Sequence, residues 1–135
     1  MSYPITASGT DADEAKKLRA LRIRTTERLL EAAKNPKGRK ELAEKTGIDE
    51  KRLLCLANTA DRMRVKGLGK EYAAILPEVG VATVRELKYR NPEKLAKAIG
   101  ELNKKRKLVR FLPTVGLVTR WIEHAKKLPA KISYR

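Results

Sequence analysis

Three observations predict an all-α fold built from repeated helix–turn–helix units in one domain-sized chain. Apolar residues recur at three- and four-residue spacing through most of the sequence, with no convincing strand. The periodic stretches are separated by short glycine or proline punctuation. A composition of 41% hydrophobic and 36% charged residues, with six prolines in 135 residues, suits a folded helical domain rather than a disordered chain.

The first clear helix is TTERLLEAAKNPKG, with a threonine cap, Leu29, Leu30, Ala32 and Ala33 on one side, and a stop at Asn35, Pro36 and Gly38. RKELAEKTGI follows, Gly47 breaks the chain, and DEKRLLCLANTADRMR resumes it with Asp49 as cap and Leu53, Leu56, Ala57, Ala60 and Met63 at helical spacing. The hairpin VKGLGK then leads into KEYAAILPEVG. The last helix, TVGLVTRWIEHAKKL, has Thr114 as cap and a stripe of Val118, Trp121, Ile122, Ala125 and Leu128. That register makes Trp121 a core residue rather than a base-stacking platform, and a chain with six aromatics is poorly equipped to grip single strands. His124 is read as a partly exposed helix residue rather than a ligand.

The chain also aligns with itself at an offset of 33 residues, pairing Gly47 with Gly80, Ile48 with Val81, Leu54 with Leu87, Asn58 with Asn91 and Gly67 with Gly100. A weaker third copy lies in LRALRIRTTERLL, where Ile23 and Leu29 match Ile48 and Leu54 but Arg22 replaces the glycine. Units of this size cannot bury their apolar faces alone and pack on their neighbours.

Charge narrows the function. With 32 Lys and Arg against 16 Asp and Glu, the net charge of +16 calls for a polyanionic partner. Residues 1–33 carry a net +1, residues 34–99 a net +7 and residues 100–135 a net +8, so the polyanion surface is expected in the middle and C-terminal parts. NKKRKLVR is the densest run: Lys104, Lys105, Arg106, Lys107 and Arg110 with no intervening acid. The apolar runs are too short to cross a bilayer, and MSYPITASGTDADEAKK lacks a signal peptide's apolar core, so no membrane partner and a cytoplasmic location are expected. Cys55 is the one cysteine and His124 the one histidine, which excludes an internal disulfide and any usual zinc site; Cys55, among leucines, is expected to be a packed or half-buried thiol. Catalysis by a nuclease or glycosylase needs carboxylates gathered on a metal, or an activated Lys or Asp in a base pocket, and the acids here alternate with basic residues as on exposed helix faces. The chain is read as non-enzymatic.

Gly67, Leu68 and Gly69, with Ala73 six residues after the first glycine, resemble the helix-hairpin-helix motif. From about Gly38 to Leu128, the stretches KTGIDEKRLL, ADRMRVKGLGKEYA, GVATVRELKYRNPEKL, NKKRKLVRFLP and WIEHAKKLP resemble a bacterial family, domain of unknown function 4332, related to helix-hairpin-helix proteins. The resemblance implies tandem helix-hairpin-helix-like units packed into one compact helical domain. It divides the chain into a degenerate N-terminal unit (1–37), a family-like core with its closing helix (38–128) and a basic tail (129–135). In ASGTDADEAKKL, Gly9 and Ala15 keep the six-residue spacing, but Asp11 stands where a second glycine is expected and Asp13 and Glu14 follow. Carboxylates there repel phosphate, so this unit is read as structural.

The resemblance implies duplex DNA as partner, held through backbone phosphates with little sequence preference, and a nucleoid association. Gly67, Leu68, Gly69 and Lys70 would form the phosphate hairpin: glycines permit close backbone approach, Leu68 plugs the core, and amides opening the next helix attract anions. Arg62, Arg64 and Lys66 would flank it, and the run from Lys104 to Arg110 would extend the track. AIGELNKK, with Gly100 and Asn103, would be the second hairpin of a pair. No cofactor is expected beyond the monovalent cation, potassium or sodium, that hairpin carbonyls can hold in the superfamily. An acidic protein surface, in a scaffold role, and RNA answer the same charge and stand as alternative partners.

Overall fold

The computed structural model describes residues 3–134. It is all-α: among the described residues there is no strand, only an isolated antiparallel bridge between Pro4 and Thr25. The chain forms two packed units, one of residues up to Arg64 joined by those from Lys131 onward, the other of residues Val65–Ala130.

The first unit holds a 3-10 turn (Ile5–Ser8) and helices α1 (Ala12–Ala20), α2 (Thr26–Ala33), α3 (Pro36–Thr46) and α4 (Glu50–Arg62). The second holds α5 (Gly69–Ile75), which Pro77 tightens into a 3-10 turn (Leu76–Val79), then α6 (Val84–Lys88), α7 (Pro92–Arg106) and α8 (Val115–Lys127). Short polar side chains start most of these helices: those of Asp11, Thr25, Asn35, Thr83, Asn91 and Thr114 each accept the backbone amide three residues on. Asp49 occupies the same position before α4 but makes no side-chain capping bond. Asn35 and Pro36, expected to stop a helix, instead cap and open α3. Gly38 lies in its first turn, so close to the Ala32 carbonyl oxygen that a side chain there would collide.

The internal repeat has a defined structural content. Arg22, Gly47 and Gly80 each end a helical segment with a left-handed backbone, at φ of 63°, 77° and 86°. The apolar residue that follows, Ile23, Ile48 or Val81, is buried. The next cap then starts α2, α4 or α6. Ile23 and Val81 also return their amides five residues back, to the carbonyls of Leu18 (3.0 Å) and Leu76 (2.9 Å), closing the helix end behind them. The residue four after each cap is fully enclosed: Leu29, Leu53 and Leu87 are each 0% exposed. The true counterpart of Leu87 is therefore Leu53 and not Leu54, because the turn after Gly47 reaches its cap one residue sooner than the turn after Gly80. Beyond that point the copies diverge. Asn58 lies inside α4 whereas Asn91 caps α7, and Gly67 lies in a turn whereas Gly100 lies inside α7.

In the first unit α2 packs on α3 and α4, and Ile5, Leu18, Ile23, Leu29, Leu42, Ile48, Leu53 and Leu56 share one core. The expected basic tail lies along this unit. Ile132 packs on the core, the Ser133 amide donates to the Lys34 carbonyl (2.6 Å), and Lys131 pairs with Glu31 (3.0 Å). The buried Arg39 guanidinium spans two carbonyls, of Ala33 (2.9 Å) and Ser133 (2.7 Å). At the other end Arg52 donates to Glu14 (2.9 Å) and to the Gly9 carbonyl (2.9 Å), while Glu14 and Asp11 exchange hydrogen bonds across the start of α1. The acidic N-terminal stretch is thus occupied in structure. Cys55, expected to be packed, is exposed: the register that turns Leu53, Leu56 and Ala57 inward points it out. In the second unit α8 packs on α6 and α7, burying Val118, Trp121, Ile122 and Ala125 with Leu87, Leu95 and Ile99.

A non-glycine residue in the left-handed region costs about 1–2 kcal/mol, part of which glycine's extra unfolded-state entropy offsets. Arg22→Gly should therefore raise stability by about 0.5–1 kcal/mol, seen as a melting temperature a few degrees higher; an unchanged or lower value would show that the turn is unstrained. Glu14 gives a pH dependence. Its hydrogen bonds from Arg52 hold the carboxyl below its ordinary value of 4.5, against the opposing effect of burial. The folded form thus keeps its charge where the unfolded chain takes up a proton, and the pair's contribution is full above that ordinary value and lost as pH falls through the folded one. Glu14→Gln should melt below the parent at neutral pH, with the gap closing in acid; a gap independent of pH would remove the charge from the account.

Candidate nucleic-acid interface

The turn between Val65 and Lys70 is the site singled out by the two glycines. Gly67 (φ 84°) and Gly69 (φ 69°) both have left-handed backbones, and the Leu68 amide closes the turn on the Val65 carbonyl (3.2 Å). Leu68, 2% exposed, points into the core of the second unit as expected, while Lys66 and Lys70 are both exposed. A Cβ on Gly67 would touch Trp121 and Leu117 of α8, but one on Gly69 would meet no atom within 4 Å. Gly69, half-buried overall, thus has open space where a side chain would stand at the head of α5, and Gly67 is exposed.

Two side chains hold the hairpin. His124 Nδ1 accepts the Lys66 amide at 2.8 Å, which places the imidazole proton on Nε2. Tyr72, one turn into α5, stacks obliquely on Trp121 with ring centroids 5.0 Å apart and donates its hydroxyl to the Phe111 carbonyl (2.8 Å). Burial, with the nearby Glu71 carboxylate, raises the Tyr72 pKa and keeps the phenol a donor. Trp121 is wholly buried, as its register requires.

The Tyr72 bond joins α5 to the loop after α7, where the basic run ends. Lys104, Lys105 and Arg106 form the last turn of α7, Lys107 caps it with a left-handed backbone (φ 48°), and all four are exposed. Arg106 also pairs with Glu78 (2.8 Å), and Arg110 lies over the Phe111 ring at 5.5 Å. Four cations at a helix C-terminus suit the dipole there, so part of this run is explained by helix stability alone.

The remaining expected residues are placed differently. No second hairpin forms at AIGELNKK: Gly100 is inside α7, and Asn103 exchanges hydrogen bonds with the Val109 amide (2.9 Å) and carbonyl (3.1 Å), clamping the loop. An uninterrupted apolar face through Leu95 and Ile99 keeps the helix running through that glycine. Arg62 is 4% exposed and donates to Thr59, and Arg64 binds Asp61 at 2.6 Å, so neither flanks the hairpin as an open cation. Burial raises the Asp61 pKa, with the Arg64 guanidinium pulling the other way. Both arginines belong to the first unit, Lys66 to the second.

Among the described residues no group of three or more His, Cys, Asp or Glu comes together as a metal site, and no helix is long and apolar enough to cross a membrane. His124, Tyr72 and Asn103 were not legible as positioning residues, since each acts across 6 to 58 residues of chain. If His124 holds the hairpin, His124→Ala should leave helicity intact but speed hydrogen exchange at the Lys66 amide at least tenfold, a loss of about 1.4 kcal/mol of protection. Unchanged exchange would mean that Leu68 alone seats the turn.

No significant match exists among curated proteins or solved structures. Over residues 8–128, nearly the whole of it, the chain matches the family described as Domain of unknown function (DUF4332), and it belongs to that family.

Proposed function

We propose that this is a non-catalytic, helix-hairpin-helix-like protein that binds duplex DNA through backbone phosphates with little sequence preference. The observation that carries the reading is the open hairpin: a buried Leu68 anchor, two left-handed glycines, and unobstructed backbone at Gly69 between Lys66 and Lys70. Such a turn lets a phosphate reach backbone amides that a side chain would screen, and the neighbouring ammonium groups add charge. Lys104, Lys105, Lys107 and Arg110, tied to α5 through the loop that Tyr72 holds, extend the cationic surface in the same unit. Arg62, Arg64, Gly100 and Asn103 have no part in this version of the interface.

Binding should be measured side by side on duplex DNA, single-stranded DNA, duplex RNA and heparin across a salt series. With some six to ten phosphates contacted, duplex affinity should fall about a thousandfold or more between roughly 50 and 200 mM salt, with little change between sequences. Gly69→Val, folded by circular dichroism, should lose at least about tenfold in affinity with net charge unchanged. Since valine strains the left-handed backbone, Gly69→Asn, which tolerates that region, should show the same loss. Lys70→Ala should cost less and lower the salt slope by about one. Full affinity in both glycine variants would leave only a general basic surface, and equal binding to heparin and duplex would point to an acidic protein as partner.

A further inference from the structure

The N-terminal stretch, residues 1–37, was expected to be structural rather than a phosphate contact, because Asp11, Asp13 and Glu14 repel phosphate and the net charge to residue 33 is only +1. Its positive charges are nevertheless not spread evenly. Arg22, Arg24 and Arg28, with Thr25, line one open cleft of about 590 Å³. All three arginines are exposed, and among the described residues none has a carboxylate within ion-pair distance. Glu27, the acid nearest in sequence, does not line the cleft.

The backbone beneath this cluster is pinned. Arg22 donates its amide to the Arg19 carbonyl (2.9 Å), Ile23 is sunk in the core, the Arg24 carbonyl accepts the Ile5 amide (2.8 Å), and the Thr26 amide donates to the Tyr3 carbonyl (2.9 Å). Thr25 accepts the Arg28 amide (3.2 Å). Three like charges lining one cleft repel one another, and among the described residues no ion pair offsets them. Arg22 adds a cost of its own, since it holds the left-handed position that glycine fills in the other two copies of the turn. Guanidinium forks bind phosphate oxygens in bidentate fashion, and three of them carried on one pinned stretch of backbone suit an oligoanion better than a single carboxylate.

We propose that the Arg22–Arg24–Arg28 cleft is a phosphate-binding site, separate from the glycine hairpin, that takes a group with two or more phosphates. Such phosphates come from two sources, a nucleic-acid backbone or a free oligophosphate, which two arms of one experiment separate. The full-length protein, with Arg22→Gly, Arg24→Ala, Arg28→Ala and, as control, Lys40→Ala of the same unit, is titrated with inorganic tripolyphosphate at low salt and with duplex DNA across a salt series.

Each arginine variant should weaken tripolyphosphate binding about tenfold, while Lys40→Ala leaves it within about twofold. If the natural source is a nucleic-acid backbone, each arginine variant should also lower the duplex salt slope by about one; if it is a free oligophosphate, only the first arm responds. Arg22→Gly should weaken binding while melting higher than the parent, a pairing that a purely structural role for Arg22 would not produce. Arginine variants that match Lys40→Ala in both arms, or a parent that binds no tripolyphosphate and keeps its duplex slope in every variant, would overturn the proposal. Failure of the hairpin reading alone would appear instead as Gly69→Val and Gly69→Asn binding duplex as well as the parent.

Discussion

A helix of five to fifteen residues buries too little to stand alone, so each must be stopped and turned back onto a neighbour by a short connection. Here that constraint is met by one device used three times: a residue with a left-handed backbone, an apolar residue driven inward, and a polar cap that starts the next helix. The apolar residue fixes the depth of the turn and the leucine four beyond the cap fixes the next helix's rotation. Both units depend on these points, because the buried faces of α2, α4 and α6 follow from them.

A chain with a surplus of sixteen positive charges has to place them where repulsion is weakest. Part of the answer is neutralisation: Arg52 meets Glu14, Arg64 meets Asp61, Arg106 meets Glu78, and Glu31 lies between Lys34 and Lys131. Part is carbonyl contact, as for the buried Arg39. Among the cations that have no such partner in the described residues are Lys66 and Lys70 at the hairpin, Lys104, Lys105 and Lys107 at the end of α7, and Arg22, Arg24 and Arg28 in their cleft. Sorting charges by whether the fold already uses them is therefore more informative than counting them, and it moves attention from Arg62 and Arg64 to Arg22, Arg24 and Arg28.

The hairpin shows a similar division of labour. Leu68, His124, Trp121 and Tyr72 hold the turn from within, and none of them needs to touch a ligand. Their effect is to seat the turn that carries Gly67 and Gly69.

The helical class, the threonine caps of α2 and α8, the plug residue Leu68, the core register of Trp121 and the equivalence of Arg22 with Gly47 and Gly80 were all determined by local sequence. Helical periodicity, capping chemistry and backbone preference act within a few residues and leave a readable pattern. What tertiary structure alone decided was which polar groups are spent on folding. Gly100 looked like a second hairpin glycine, yet the apolar face of α7 carries the helix through it. Arg62 looked like an open cation, yet burial claims it, whereas the partner of Arg64, Asp61, stands only three residues before it and was legible in the sequence. Arg22, Arg24 and Arg28 did not stand out as a cluster in a stretch of net charge +1, yet a pinned turn brings them to one cleft. Electrostatic and hydrogen-bond partners are chosen by proximity in space, and an acid or carbonyl tens of residues away leaves no mark beside the residue it binds.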